Sequence, residues 1–509
     1  MSAKRLFKIF TCLLLLTLLF GCGGGRPDTY TVADETGDWG YPSPHGIYAR
    51  GPAYVRMSLL FDTLIWKDAQ GFVPALAEKW EYMAEEQAYL FTLRPGVSWH
   101  DGKPFTAKDV AFTFNYFKEH PFVFADISDV AGVQVINEYD VKIVLEKPRA
   151  SFLEDVAGTL PIIPEHLWQD VADPWNYQQP QALVGTGPFK LADYSREHGS
   201  YLYTANENYY LGRPLIENLQ FVKMSKDVVP AALRRGEINA AEIPPEMTGP
   251  LSDEGFNVIS GPLYWNHRLM INHTKEPFNE NRLRRALAHA IDREELVQVV
   301  ARGHGQAGLA GMLPPDNPWH NPQVTQYHHD RVKAKQLLAE LGFGPHRPLT
   351  LELLVSQRFA RDGEIIASQL AQVGIKAELK SLEQKSVDNK INNWDFDLAV
   401  TGHGGLGGDP DVLRTLILDD GFNSARYDGN AELVQLLQQQ LGEMDAEKRR
   451  ELINRAQSIY AEEVPALSLY YPRWYFAHDG SLPLYYTKGG IAVGVPLPLN
   501  KMAFIESKL

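Results

Sequence analysis

Cysteine is nearly absent from this chain of 509 residues, which holds two, Cys12 and Cys22. Cys12 lies inside an N-terminal apolar run, so a chain cut before Cys22 would keep one thiol and no intramolecular disulfide. A core large enough to stabilise the fold must do that work instead. Long apolar runs are also scarce. Beyond Ile9 to Phe20, itself short, no stretch approaches the roughly twenty residues that a spanning helix needs. Catalytic signatures are missing: no GxSxG, HExxH, GxxxxGK[ST] or paired CxxC occurs, and a mature chain would have no thiol nucleophile. Positive charge is in deficit, with 49 Lys and Arg against 63 Asp and Glu. That excess argues against nucleic acid and against binding to anionic lipid surfaces.

What is present begins at the N-terminus. Lys4, Arg5 and Lys8 precede the apolar Ile9 to Phe20, the order of a secretory signal. Leu19-Phe20-Gly21-Cys22 resembles a lipobox, where a lipoprotein precursor is cut and the cysteine acylated. Residues 1–21 are therefore read as a lipoprotein signal peptide and 22–29 as the lipidated Cys22 with a flexible tether, Gly23 to Gly25. A plain secretory signal followed by a chance cysteine is the alternative. Either places the protein outside the cytoplasm; the first anchors it to the cell membrane.

About 485 remaining residues exceed a single core, so two or three domains are expected. The first half is rich in short strands. Glu78 to Met83 and Ala88 to Leu93 predict a hairpin, as do Val133 to Asn137 and Val141 to Leu145. Thr106 with Asp109 reads as a helix cap with a reciprocal acidic partner. The second half alternates strand and helix from Leu349 to Thr401, the pattern of an α/β lobe with crossover connections. The predicted fold class is thus mixed α/β, an α+β first lobe and an α/β second.

The order VPALAEKW, then FTLRPGVSWHDGKPFTAKDVAFTF, then GTGPF, NENYYLGRP and RRGEINAA, resembles the bacterial extracellular solute-binding proteins of family 5. These are receptors of dipeptide, oligopeptide, nickel and related ABC importers; they bind and deliver, and catalyse nothing. The resemblance covers nearly the whole mature chain. It implies two lobes joined by a double-crossover hinge near Gly261 to Asn266. The first lobe would comprise 30–263 plus 478–509, with a subdomain at about 59–183, and the second 264–477. It implies a small-molecule or peptide ligand, an ABC permease and ATPase as partners, and a monomer. No cofactor or resident metal is expected, since no histidine pair stands at i, i+4 beside a carboxylate in a helix. A nickel or metal-chelate cargo rests on the resemblance alone. An extracytoplasmic hydrolase with unrecognised catalytic residues, or a sensor subunit, are the rival readings.

Candidate ligand-binding residues fall in four places. The glycine-rich turn after a strand, Gly402 to Gly408, carries His403 and Leu406 and runs into Asp409 and Asp411. It is either a closely approached turn or a place where small residues make room for ligand. The resemblance matches Gly408-Asp409-Pro410-Asp411 to a pocket-lining segment of peptide receptors, but puts Leu406 where an aspartate usually holds the peptide amine and His403 where a tryptophan is usual. Arg358 matches an arginine that takes the peptide carboxylate in dipeptide receptors, a task its guanidinium fork suits; a solvated arginine is the alternative, and Arg361 lies close by. Trp39, Tyr41 and His45, in a loop rich in Pro and Gly, read either as a ligand-lining segment or as packing on their own lobe. Tyr264 and Trp265, beside the hinge, would close against them.

Overall fold

The computed structural model describes residues 28–506 apart from 420 and 422; the expected signal peptide and lipidation site, residues 1–21 and Cys22, lie outside them. Two large sheets organise the chain. The first runs, in spatial order, Asn257–Ser260, Tyr475–His478, Ala240–Ile243, Thr29–Asp34, Asn218–Lys223, Ser200–Ala205 and Phe189–Ser195. Its parallel centre joins Thr29–Asp34 to both Asn218–Lys223 and Ala240–Ile243, and its other pairs are antiparallel. The second sheet runs Gly305–Ala307, Ala466–Pro472, Asn266–Ile271, Leu398–His403, Leu349–Ser356 and Ile375–Leu382.

Local sequence explains much of this. Ala77–Met83 and Ala88–Leu93 pair antiparallel around a turn in which Gln87 adopts a left-handed conformation. Asp140–Leu145 and Val130–Val135 extend them into a separate four-stranded sheet within the first lobe. Thr106 caps helix Ala107–Glu119 in a reciprocal box. Its hydroxyl accepts from Lys108 N–H at 3.3 Å, and its own N–H donates to Asp109 at 2.9 Å. The apolar stripe of that helix, Val110, Phe114 and Phe117, is buried in the first-lobe core. In the second lobe, Leu349–Ser356 is parallel to both Ile375–Leu382 and Leu398–His403. Such neighbours need crossover connections, here helices Ala360–Gln372 and Gln384–Asn392.

The chain crosses between the sheets twice. It leaves Asn257–Ser260, enters Asn266–Ile271, and returns from Ala466–Pro472 into Tyr475–His478. The crossings touch: Gly261 N–H donates to the Trp474 carbonyl at 2.8 Å. The family resemblance puts the return at roughly His478. In the structure Tyr475, Phe476 and Ala477 already pair with both neighbours in the first sheet, because Arg473 and Trp474 suffice for the crossing. The C-terminal segment is then pinned inside the first lobe. Trp66 Nε1 donates to Asn500 Oδ1 at 2.9 Å, and Lys501 forms a wholly buried ion pair with Asp62. The result is a two-lobed α/β protein with a double-crossover hinge.

Candidate ligand cleft

Strands Leu349–Ser356 and Leu398–His403 end at the same edge of the second sheet, where Asn266–Ile271 begins. Ligands of open α/β sheets bind beyond the carboxyl ends of such strands. At this edge Trp265 is the centre of an aromatic and cationic group. Its ring lies 5.6 Å from the Trp474 ring, one on each crossing, and the Arg358 guanidinium sits 5.6 Å from its centroid. Arg358 is exposed, in the 3-10 turn Gln357–Phe359, and has no carboxylate partner among the described residues. The cation–π contact holds it against Trp265, beside the hinge.

The glycine turn is shaped by rings and by the first lobe. An ideal Cβ on Gly402 would lie 2.8 Å from Trp265 Nε1, and one on Gly407 would lie 2.2 Å from the Tyr264 ring. On its other side the turn meets the C-terminal loop of the first lobe, where a Cβ on Gly494 (φ +90°) would lie 2.6 Å from Gly405 O. Gly489 N–H donates to the Tyr264 hydroxyl at 3.1 Å. Glycine is thus required by close approach.

The remaining candidates divide by what holds them. His403 ends its strand opposite Asn266. Burial, then the neighbouring Arg268 and Arg50, push its imidazole down to about 4, so the ring is neutral at ordinary pH. Leu406 is wholly buried in an apolar cluster with Leu263, Met312 and Leu413. Its N–H donates to Tyr264 O at 3.1 Å and its carbonyl accepts from Asn317 at 2.7 Å, so backbone and side chain alike are held within the second lobe. Asp409 takes Arg449 on both oxygens, at 2.5 and 2.7 Å. Asp411 accepts from Arg414 at 2.8 Å twice and from Gln440 at 2.7 Å. Both carboxylates are already neutralised. The aromatic loop packs on its own lobe: Trp39 Nε1 donates to Asp34 at 2.9 Å and Tyr41 donates to Gln179 O at 3.2 Å. His45 lies 5.3 Å from both the Phe117 and Trp175 rings, with Nε2 at 2.9 Å from His120 O. The sequence could not separate these tyrosine, tryptophan and histidine side chains from ligand-lining ones, since both uses select aromatic residues in a Pro- and Gly-rich loop.

A second interlobe contact has no signature in the sequence. Ala150 N–H of the first lobe donates to Leu441 O of the second at 2.7 Å. Just beyond, Glu154 pairs with Lys67, and Arg149 holds Asp129 and Asp155 at 3.1 and 3.2 Å. A Cβ on Gly408 would lie 3.4 Å from Glu154 Oε1. Burial pushes Glu154 up to about 7, and burial, with Asp409 next in size, pushes Asp155 up to about 6. Five acidic and four basic side chains from both lobes converge here, brought together from positions as far apart as Lys67 and Arg449.

Two sheets joined by a touching double crossing, with paired tryptophans and an arginine beside it, make the architecture of a two-lobed protein. Residues 71–425 match the family model "Bacterial extracellular solute-binding proteins, family 5 Middle", and the chain belongs to that family. It is 29% identical over 437 residues to di/tripeptide-binding protein 2 of Pseudomonas aeruginosa strain UCBPP-PA14, covering 79% of this chain and 81% of that protein. It is 27% identical over 433 residues to the dipeptide-binding protein of Escherichia coli strain K12, covering 78% and 80%. The fold also superposes on NikZ from Campylobacter jejuni, solved in complex with Ni(L-His). That match has a TM-score of 0.78 at 22% identity and covers 92% of this chain and 98% of the other.

Proposed function

We propose that this protein captures a small solute bearing an anionic group between its two lobes and delivers it to an ABC permease, without chemical change, while tethered outside the cytoplasm by lipid on Cys22. The observation that carries this reading is the pair of touching crossings at Gly261 and Trp474, flanked by Trp265, Trp474 and Arg358, which has no carboxylate partner among the described residues. Such a hinge lets a ligand that touches both lobes favour the closed state by its differential affinity for it.

The turn bears on which solutes fit. Leu406 is apolar and buried, and Asp409 and Asp411 are engaged by arginines. A solute's α-amine therefore meets no free carboxylate there, and capture through an ammonium would carry a heavy desolvation cost. An anionic group suits the cleft mouth better. The peptide receptors among the relatives favour a peptide-like cargo, and the metal-chelate complex of the structural neighbour makes a chelated metal the second reading.

Mass spectrometry of solute co-purifying with the tagged protein, followed by small-angle scattering with and without it, tests the proposal. A smaller radius of gyration with the solute unchanged supports it. An unchanged radius at saturation, or consumption of the solute, overturns it.

A further inference from the structure

Arg268 is wholly buried in the middle of the second lobe and has no carboxylate partner among the described residues. Its Nη1 donates to the Asn423 carbonyl at 3.0 Å. Its Nε and Nη2 have no hydrogen-bond partner. The neighbouring Tyr460 hydroxyl donates to Ala466 O at 2.9 Å, and its oxygen, facing Arg268, is a neutral acceptor near the guanidinium that completes no bond with Nε or Nη2. Other buried guanidinium groups of this chain are compensated differently. Arg56, Arg149 and Arg449 meet carboxylates, and Arg293 donates to the carbonyls of Gly308 and Tyr327. A buried, uncompensated cation is costly, and native structures rarely keep one without a use.

The geometry of the two orphan nitrogens narrows that use. Nε and the Nη trans to the side chain form one edge of the guanidinium, with two parallel N–H bonds. That edge matches the two oxygens of a carboxylate or phosphoryl group. The surroundings complete a polar nest. Arg268 lies opposite Thr401 and Ser468 in the sheet, and Asn266 lies opposite His403. Asn423 adopts φ +60°, and its Nδ2 donates to Gly402 O at 2.9 Å. Asn266 donates to Ser468 Oγ at 2.9 Å, leaving its buried Oδ1 unpartnered. Flipping this amide would let Ser468 donate to Oδ1 and free Nδ2 as a further donor. These groups sit directly behind the partly exposed Gly402 to Gly405 turn, at the ligand edge of the sheet. Arg50, from the first lobe, also bears on His403. Positive charge therefore approaches this corner from both lobes.

We propose that the Nε–Nη2 edge of Arg268 is the fork that holds the oxyanion of the solute, entering past the Gly402 to Gly405 turn, and that Arg358 stays a surface cation at the mouth. This rests on the solute-receptor reading above and deepens it. The ligand class is a solute ending in a carboxylate or phosphoryl group. Its oxygens supply the acceptors that the folded chain withholds from Arg268.

The test compares wild type, Arg268→Met, Arg268→Lys and Arg358→Ala by calorimetry and thermal denaturation. The probes are a di- and tripeptide library as free acids, the same peptides as C-terminal amides, and inorganic phosphate. Wild type should prefer acids to amides, or respond to phosphate if the group is phosphoryl. Arg268→Met should melt no lower than wild type in anion-free buffer, because an apolar side chain removes an uncompensated buried charge. It should lose the anion response by about ten- to hundredfold in affinity, the scale of a charge-assisted bond. Arg268→Lys keeps the charge without the fork and should lose the acid preference too; it stands in if the methionine variant fails to fold. Arg358→Ala should keep the preference. Equal binding of acids and amides by wild type together with no response to phosphate, or an Arg268→Met protein that keeps the full anion response, overturns the proposal. The first outcome, with tight binding of either series, leaves the receptor reading standing.

Discussion

Arg449 places its two terminal nitrogens on the two oxygens of Asp409, at 2.7 and 2.5 Å, with both side chains largely buried. The aspartate that ends the glycine turn is therefore a brace between the turn and helix Ala446–Glu463. Asp409→Ala should destabilise the protein by about 3–5 kcal/mol, because it leaves a guanidinium buried without its counter-charge. Denaturant unfolding measures this. A variant as stable as wild type but unable to bind solute would instead make Asp409 a ligand contact.

Tyr264 and Gly407 make the tightest of the glycine contacts at the cleft, with ring carbon Cδ2 2.2 Å from the ideal Cβ position. Gly407→Ala must push the ring away from its hydrogen bond with Gly489. The expected cost is about 1–3 kcal/mol of overpacking, with weaker solute binding as the interlobe contact loosens. Thermal denaturation and calorimetry read the two effects separately.

Closure should respond to pH through Glu154 and Asp155. Burial, beside Gly408 and Asp409 of the second lobe, raises both carboxyls, to about 7 and about 6. Opening would rehydrate them and return them toward the ordinary carboxylate range. The closed form thus binds more protons in the window from the ordinary range up to about pH 7. Closure gains support as pH falls through that window and loses it as pH rises. Solute affinity should tighten on acidification from pH 8 to 6, by at most about tenfold per proton per pH unit. Calorimetry in buffers of different ionisation enthalpy should show proton uptake on binding. Glu154→Gln should flatten its share of the profile, while proton release would contradict the assignment.

Cys22→Ser should yield a folded protein that leaves the membrane fraction and appears in the soluble extracytoplasmic fraction. Fractionation and immunoblotting decide it. Retention on the membrane would remove the lipid anchor from the reading.

The sequence by itself determined the elements and the family. Alternation, capping and turn residues are local, so the hairpin at Ala77–Met83 and Ala88–Leu93, the Thr106 box and the crossover helices of the second lobe were legible one segment at a time. The motif order from Gly71 onward carried the solute-binding class in the same way. Partners distant in the chain left no local trace. Whether Asp409 faced a solute or Arg449, and whether Leu406 lined a cleft or filled a core, depended on helices and loops many residues away. Trp39, Tyr41 and His45 have the same chemistry whether they stack on a ligand or on their own lobe, and burial alone separates the two. Arg268 shows this most plainly. In the sequence it is one arginine inside an apolar strand; only tertiary packing withholds acceptors from one edge of its guanidinium, and that desolvated edge is what makes it a candidate anion site.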